Sequence, residues 1–141
     1  MYENKSINIG PFDIQPVSLT HSIPDPFSLS ITTKSGTIFH TGDWKFDNNP
    51  KLGKKPNYEE LKSIGDKGVL ALVGDSTNAM VEGVTRSESE AFDGLKSVIN
   101  KASGRIVITC FASNIARIKS ILEASLKNNK KVFLAGRSLN R

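Results

Sequence analysis

Apolar and polar positions alternate along the first half of the chain with the period of two that is typical of half-buried β-strands. Ile7 and Ile9 alternate before a Gly-Pro turn, and a second extended run follows over about residues 13–19. Apolar residues alternate with small polar ones over 27–31, and after a Lys-Ser-Gly turn the extended pattern resumes over 37–40. Because turn signals separate these short runs, this half is predicted to form a mainly antiparallel sheet.

The pattern changes at residues 69–73, an unbroken apolar run that is typical of a strand covered on both faces. Before it lie a predicted loop over 47–57 and a short helix over about 58–64. After it, a capping box predicts the start of a longer helix, with Ser87 as N-cap and Glu90 three residues on. Helical spacing predicts that this helix buries Phe92, Leu95, Val98, Ile99 and Ala102.

Strand and helix signals alternate over the rest of the chain. Strands are predicted over 105–110 and 131–135, and the helix between them has its apolar face marked by Ile115, Ile118, Leu122 and Leu126. Such alternation predicts βαβ units and a parallel sheet. The expected fold class is therefore α/β, with an antiparallel sheet first and a parallel sheet after it. The loop over 136–141 follows a predicted strand, and the sequence ends within this loop. We therefore expect the chain to be a fragment.

Composition narrows the class of protein. Hydrophobic residues make up 38% of the chain, which is inconsistent with wholesale disorder, and no apolar run approaches the length of about 18 residues that a membrane span needs. No basic-then-apolar leader begins at Met1. The single cysteine, Cys110, excludes a disulfide framework and is expected to lie buried in a strand. We therefore expect a cytoplasmic protein with no membrane partner.

Charge is distributed unevenly between the two halves. Residues 1–74 carry eight basic and eight acidic side chains, whereas residues 75–141 carry eleven and six. From Lys101 onward nine basic residues accompany one acid, Glu123. Such a basic segment attracts anionic partners such as nucleic acid. A solvated lysine-rich surface would give the same composition, so both interpretations stay open.

Three polar clusters follow predicted strands, over residues 20–25, 40–43 and 74–78. In the first, His21 either presents a ring nitrogen to a metal or substrate, or caps a turn. In the second, a glycine allows a sharp turn that directs Asp43 into a cleft, where its carboxylate can bind metal; the alternative is an ordinary turn aspartate. In the third, Asp75 ends a buried strand, a common place for functional acids in α/β proteins.

A fourth polar stretch precedes the predicted helix near residue 115. Ser113 or Asn114 can cap that helix, and free N–H groups at its start could instead bind a phosphate. Trp44 either stacks on a nucleic-acid base or belongs to the core.

Six strings in order carry a resemblance to one family: VSLTHSIPDPFSLSI, FHTGDWKFD, LVGDSTNA, TRSESE, ITCFASNIARI and VFLAGRS. Together they resemble the bacterial ribonuclease J family, which are metallo-β-lactamase-fold nucleases with an inserted β-CASP domain. The match extends over nearly the whole chain. It implies a partial metallo-β-lactamase-like domain over 1–74 and a partial β-CASP domain over 75–141.

The resemblance also implies roles for individual residues. His21 matches a metal-ligand histidine, and Asp43 matches the aspartate that bridges two metals. Asp75 matches an acid of the first β-CASP motif, which in the family orients a histidine of a later motif. The resemblance implies, less specifically, that four further residues lie near the path of the RNA: Ser76, Thr77, Ser113 and Asn114. His40 matches no ligand and is expected to be a strand histidine.

The family chemistry implied is hydrolysis of RNA phosphodiesters with two zinc, or manganese, ions. The hallmark His-x-His-x-Asp-His loop is absent from this sequence, which has two histidines in all. Since a dinuclear site needs more ligands than His21 and Asp43 supply, these residues alone are expected to bind metal weakly or not at all and to lack nuclease activity. The expected partners are RNA and either the missing remainder of the enzyme or a second copy of the chain. The alternatives are a non-catalytic RNA-binding module and a degenerate remnant with exposed sheet edges.

Overall fold

The predicted sheet is present in a computed structural model, which describes residues 5–139. These residues contain five strands: β1 (Ile7–Ile9), β2 (Phe12–Ser18), β3 (Phe27–Thr33), β4 (Gly36–His40) and β5 (Ala71–Val73). They lie in the order β1-β2-β3-β4-β5, antiparallel except for the parallel pair β4-β5. The helices are α1 (Tyr58–Asp66), α2 (Glu88–Lys101) and α3 (Ile115–Lys127). The α/β class with a mainly antiparallel sheet is thus confirmed.

The core of the sheet lies on the face that α1 covers. Val17, Phe39 and Ile64 are its buried residues. Ser28 and Ser30 of β3 share this face, because their partners across the sheet are Val17 and Phe39. Both serines are buried, and the Ser28 hydroxyl donates to the Val17 carbonyl at 3.1 Å. The polar positions of β3, rather than its apolar ones, therefore face the core.

The opposite face of the sheet is apolar and only partly covered. Ile14, Ile31 and Ile38 pair across β2, β3 and β4 and form one row on it. Ile14 and Ile31 are half-buried, and Ile38 is exposed. A sheet whose outer face carries isoleucines has apolar surface available for packing against a further element.

The prediction that the 69–73 strand is covered on both faces is wrong. β5 is the edge strand and pairs only with β4. Leu70 and Leu72 are 71% and 69% exposed. An unbroken apolar run needs cover on both faces to be buried; here Val69 packs against the core, and residues 70–73 are exposed.

Helix α2 begins and packs largely as the sequence predicts. Ser87 is its N-cap, and the Ser87 hydroxyl accepts from the Glu90 amide at 3.2 Å. Phe92 and Ile99 are buried against α3, but Val98 is 64% exposed, which contradicts its predicted burial. Since each residue turns the helix by about 100°, Val98 lies about 120° around the axis from Phe92.

Helix α3 packs through a different face from the predicted one. The buried residues of α3 are small, Ala116, Ser120, Ala124 and Ser125, and Ala124 packs with Phe92 and Ile99 of α2. The predicted apolar stripe is largely exposed, with Leu126 at 70%. Small side chains allow two helix backbones to approach closely, so the larger ones turn outward. No helix among residues 5–139 has the length and apolar character that crossing a bilayer requires.

The outward stripe of α3 borders an apolar groove of about 540 Å³. Residues 105–110 and 131–135, the two predicted strands, supply most of its other walls. Neither segment forms a strand within the described residues. Cys110 is exposed, so its predicted burial is wrong. Of the predicted last loop, residues 137–139 form a 3₁₀ turn, and residues 140–141 lie outside the described range.

Candidate functional site

His21 and Asp43, which lie far apart in the sequence, come together beyond the ends of β2 and β4. Their Nε2 and Oδ2 atoms are 3.9 Å apart. The neighbouring residues Thr20 and Lys45 hold the two turns together through an isolated antiparallel bridge, in which the Lys45 amide donates to the Thr20 carbonyl at 2.9 Å. The His21 side chain is about one-third exposed and that of Asp43 is open to solvent. Both side chains can therefore reach a ligand from outside.

The turn that presents Asp43 depends on Gly42. This glycine has φ of 60°, in the left-handed region that other residues adopt at a cost. A Cβ there would lie 3.3 Å from the Phe27 carbonyl oxygen. The Gly42 amide donates to Nδ1 of His40 at 3.0 Å, so His40 supports the turn from the end of β4 and does not line the site.

A pocket of about 270 Å³ connects this pair to helix α3. His21, Asp43 and Ser113 all line it, so three of the predicted site residues face one cavity. The Ala116 amide, in the first turn of α3, donates to the Ser22 carbonyl at 3.1 Å. That bond fixes the start of α3 against the turn that carries His21.

Asp75 lies on an adjacent turn, outside the pocket. Its amide donates to the Thr41 hydroxyl at 3.1 Å, and its carbonyl accepts from the indole N–H of Trp44 at 3.3 Å. Its carboxylate accepts from both the hydroxyl and the amide of Thr77. These hydrogen bonds from Thr77 hold the pKa of Asp75 below its ordinary value. Asp75 is therefore ionised at neutral pH.

The other predicted RNA-contacting residues divide between this turn and α3. Ser76 and Thr77 are exposed on the turn after Asp75 and do not line the pocket. Asn114 caps α3, since its Oδ1 accepts from the Arg117 amide at 2.9 Å. With the Ala116 amide also bonded, the first turn of α3 is already largely satisfied, and phosphate binding there stays a prediction.

The chemistry of the pair fits part of a metal site. An imidazole nitrogen and a carboxylate oxygen are ligands that zinc accepts, and their 3.9 Å separation allows both to approach one ion. Among residues 5–139 no group of three histidine, cysteine, aspartate or glutamate side chains is placed to hold a metal. The pair would thus contribute two ligands to a site whose other ligands lie elsewhere.

Sequence reasoning missed a charged cluster behind the pocket, formed by Lys45, Asp47, Glu88 and Arg117. The Asp47 side chain is almost fully buried, and its carboxylate accepts from the Glu88 amide at 2.9 Å and the Asn49 amide at 2.9 Å. Burial opposes ionisation, but these bonds and the Lys45 charge outweigh it and lower the pKa of Asp47. All four residues lie in strings that carry the family resemblance, but the resemblance implied no role for them. Asp47 lies in a predicted loop and Glu88 is an ordinary first-turn acid, so neither pattern predicts that the two side chains meet.

Comparisons with known proteins point to one family. The model of the β-CASP domain of ribonuclease J matches residues 103–141. Ribonuclease J from Sinorhizobium meliloti is 47% identical over 135 residues, 96% of this chain and 24% of that protein. Ribonuclease J from Mycobacterium tuberculosis is 40% identical over 139 residues, 99% of this chain and 25% of that protein. The chain thus spans about a quarter of the length of these curated relatives.

A solved structure shares the fold. The crystal structure of a protein of unknown function from Enterococcus faecalis V583 superposes with a TM-score of 0.63. The likeness covers 87% of this chain and 30% of that one, at 19% identity. At that identity it supports the fold alone.

Proposed function

Since this chain belongs to the ribonuclease J family, a family of RNA-processing nucleases, we propose that it contributes part of the active site of a metal-dependent ribonuclease. The observation that carries the proposal is the 3.9 Å approach of His21 Nε2 to Asp43 Oδ2 beside a pocket. Both residues match metal ligands of the family, and the fold brings them together from separate turns. We assign the activity to the reducing cytoplasm, which the single cysteine suits.

Each residue of the pair suits a different part in holding metal. His21 offers one neutral ring nitrogen, and Asp43 offers two anionic oxygens that suit a bridge between two ions. Zinc is the expected metal and manganese the alternative. When bound, a metal pair supplies Lewis acidity that favours hydrolysis of a phosphodiester.

Asp75 would act as an orienting acid. Thr77 keeps its carboxylate ionised and fixes one of its oxygens. An ionised carboxylate is a strong acceptor for an imidazole N–H, which suits the family role of holding a histidine from a later motif. Ser76, Thr77 and Ser113 are exposed, and Ser113 also lines the pocket with His21 and Asp43, so these side chains are open to an approaching RNA.

Several apolar surfaces support the proposal that these residues work within a larger enzyme. The isoleucine row on the outer sheet face, the exposed edge strand β5 and the unpaired segments 105–110 and 131–135 all present apolar side chains. A strand edge and an apolar face of this kind are normally covered by further elements. We therefore propose the remainder of the nuclease as the partner of this chain, and inactivity of residues 1–141 alone.

The test compares Asp43→Asn with Asp25→Asn in the larger nuclease that we propose. Both changes remove one exposed carboxylate near the pocket, but Asp25 is not a ligand of the proposed site. We expect Asp43→Asn to lose zinc, measured by elemental analysis, together with cleavage of a labelled single-stranded RNA. The Asp25→Asn protein should keep both. Equal zinc content and equal cleavage in the two variants would refute the proposed role of Asp43.

A further inference from the structure

The charged cluster ties together three elements that surround the candidate site. Glu88 lies at its centre, at the first position of α2, with its side chain only 9% exposed. On one side its Oε1 lies 3.4 Å from Nζ of Lys45, which also contacts Asp47 at 3.3 Å. On the other side Arg117 of α3 donates to both carboxylate oxygens, at 3.3 and 3.4 Å. One carboxylate therefore joins α2 and α3 to the strand-end segment that follows Asp43.

A second set of contacts closes a ring of interactions that passes through the turn of His21. Lys45 is bridged to Thr20, the residue before His21. The Ala116 amide, next to Arg117, donates to the Ser22 carbonyl, the residue after His21. Glu88 is thus connected to the turn of His21 in two ways. Lys45 connects it through Thr20, and Arg117 connects it through the neighbouring Ala116 and Ser22.

From this ring we propose that Glu88 is a positioning residue, which holds the first turn of α3 at a fixed place opposite His21 and Asp43. The inference rests on the proposed function. Because Ser113 precedes that turn and lines the pocket, its position relative to the metal pair depends on where Arg117 is anchored. Glu88 would thereby set how RNA is held across the pocket without touching it.

The geometry explains why a carboxylate occupies this position. A bidentate pair with arginine fixes both distance and orientation, which a packed apolar side chain does not. Glu88 is only 9% exposed, and its carboxylate has the same sign of charge as RNA, so Glu88 is not itself a contact for RNA. We therefore expect its effect on RNA binding to act through the elements that it holds.

The experiment measures steady-state RNA cleavage by the complete protein with Glu88→Gln, with Glu90→Gln as the matched control. Glu90 lies two residues along α2 with an exposed side chain. We expect Glu88→Gln to raise KM for a labelled single-stranded RNA by about tenfold or more, since small displacements of positioning groups cost factors of this order. Zinc content should stay at the wild-type value, because neither candidate ligand is altered.

A second variant keeps the proposal testable if Glu88→Gln does not fold. Arg117→Gln removes one of the two partners of Glu88 and leaves Lys45 3.4 Å from its carboxylate, whereas Glu88→Gln removes the acid from both Lys45 and Arg117. It should raise KM in the same direction, and Arg117→Lys should recover part of the loss. The positioning role is refuted, and the proposed function stands, if wild-type protein cleaves RNA but Glu88→Gln and Arg117→Gln both have the same KM as the Glu90→Gln control. Loss of zinc from Glu88→Gln would also refute it. If wild-type protein does not cleave RNA, the proposed function itself fails.

Discussion

At the scale of single residues, the candidate site depends on one backbone conformation. Asp43 faces His21 because Gly42 turns the chain with φ of 60° directly before it. The carbonyl of Phe27 lies where a side chain at position 42 would begin. The conformation of one glycine and the direction of one candidate ligand are therefore coupled.

Gly42→Ala should weaken both folding and metal binding. A left-handed alanine costs about 1–2 kcal/mol, and relief of that strain would redirect Asp43. Urea unfolding measures the first effect and zinc titration the second. Gly10→Ala is the control, because Gly10 has φ of 57° with no atom near its missing Cβ. It should lose similar stability and keep its zinc affinity; equal zinc affinity in both variants would contradict the coupling.

Asp47 makes stability depend on acid pH. Its pKa is lowered in the folded protein, so the folded state binds fewer protons than the unfolded state near that pKa. The stabilisation it provides is present above its unfolded pKa of about 4 and is lost as pH falls through the folded value. Asp47→Asn should therefore destabilise the protein at pH 7 and flatten the fall in unfolding free energy below about pH 4. Parallel pH profiles for wild type and variant, from urea titrations, would show that Asp47 is not the group responsible.

At the scale of elements, sequence patterns predicted where helices begin better than which face they bury. The Ser87 capping box located the start of α2 because capping is a local interaction between neighbouring residues. The face of α3 was mispredicted because burial depends on the partner helix. Ala124 packs with Phe92 and Ile99 of α2, and the larger Ile118 and Leu122 line the groove instead.

Close packing of α2 on α3 leaves one polar atom unsatisfied. The Ser120 hydroxyl is buried without a hydrogen-bond partner in the described structure. Because an unpaired buried hydroxyl costs about 1–3 kcal/mol, Ser120→Ala should be neutral or stabilising. Ala124→Ser, one turn further on in the same interface, should destabilise. Thermal unfolding of the two variants checks this, and a marked loss of stability in Ser120→Ala would contradict the α2–α3 packing.

At the scale of the whole molecule, the division into two partial domains near residue 74 stays a prediction from charge and family resemblance. The neutral stretch folds into the sheet that carries His21 and Asp43, and the basic stretch carries α2 and α3. The approach of those two turns was implied only by family resemblance, since spacing in the sequence does not bring residues 21 and 43 together. Residues 105–110 and 131–135 show the limit of predicting strands from hydrophobic pattern. Both have strand-like sequences, but neither forms a strand within the described residues.

The basic half also predicts how RNA affinity responds to salt. Contacts between basic side chains and phosphates release counterions, so affinity should fall steeply and linearly on logarithmic axes as salt rises. Fluorescence anisotropy with a labelled single-stranded RNA measures the slope. A slope near zero, or no binding at low salt, would contradict a role for this half in holding RNA.

The most direct test of the central claim is RNA hydrolysis by residues 1–141 in two settings. The chain is purified alone, and it also replaces the corresponding quarter of the Sinorhizobium meliloti ribonuclease J, to which it is 47% identical. If the chain supplies His21 and Asp43 to a composite metal site, the isolated chain should neither hold zinc tightly nor cleave RNA. The chimaera should do both and lose both with Asp43→Asn. Tight zinc binding with cleavage by the isolated chain, or an active chimaera that is indifferent to Asp43→Asn, would contradict the claim.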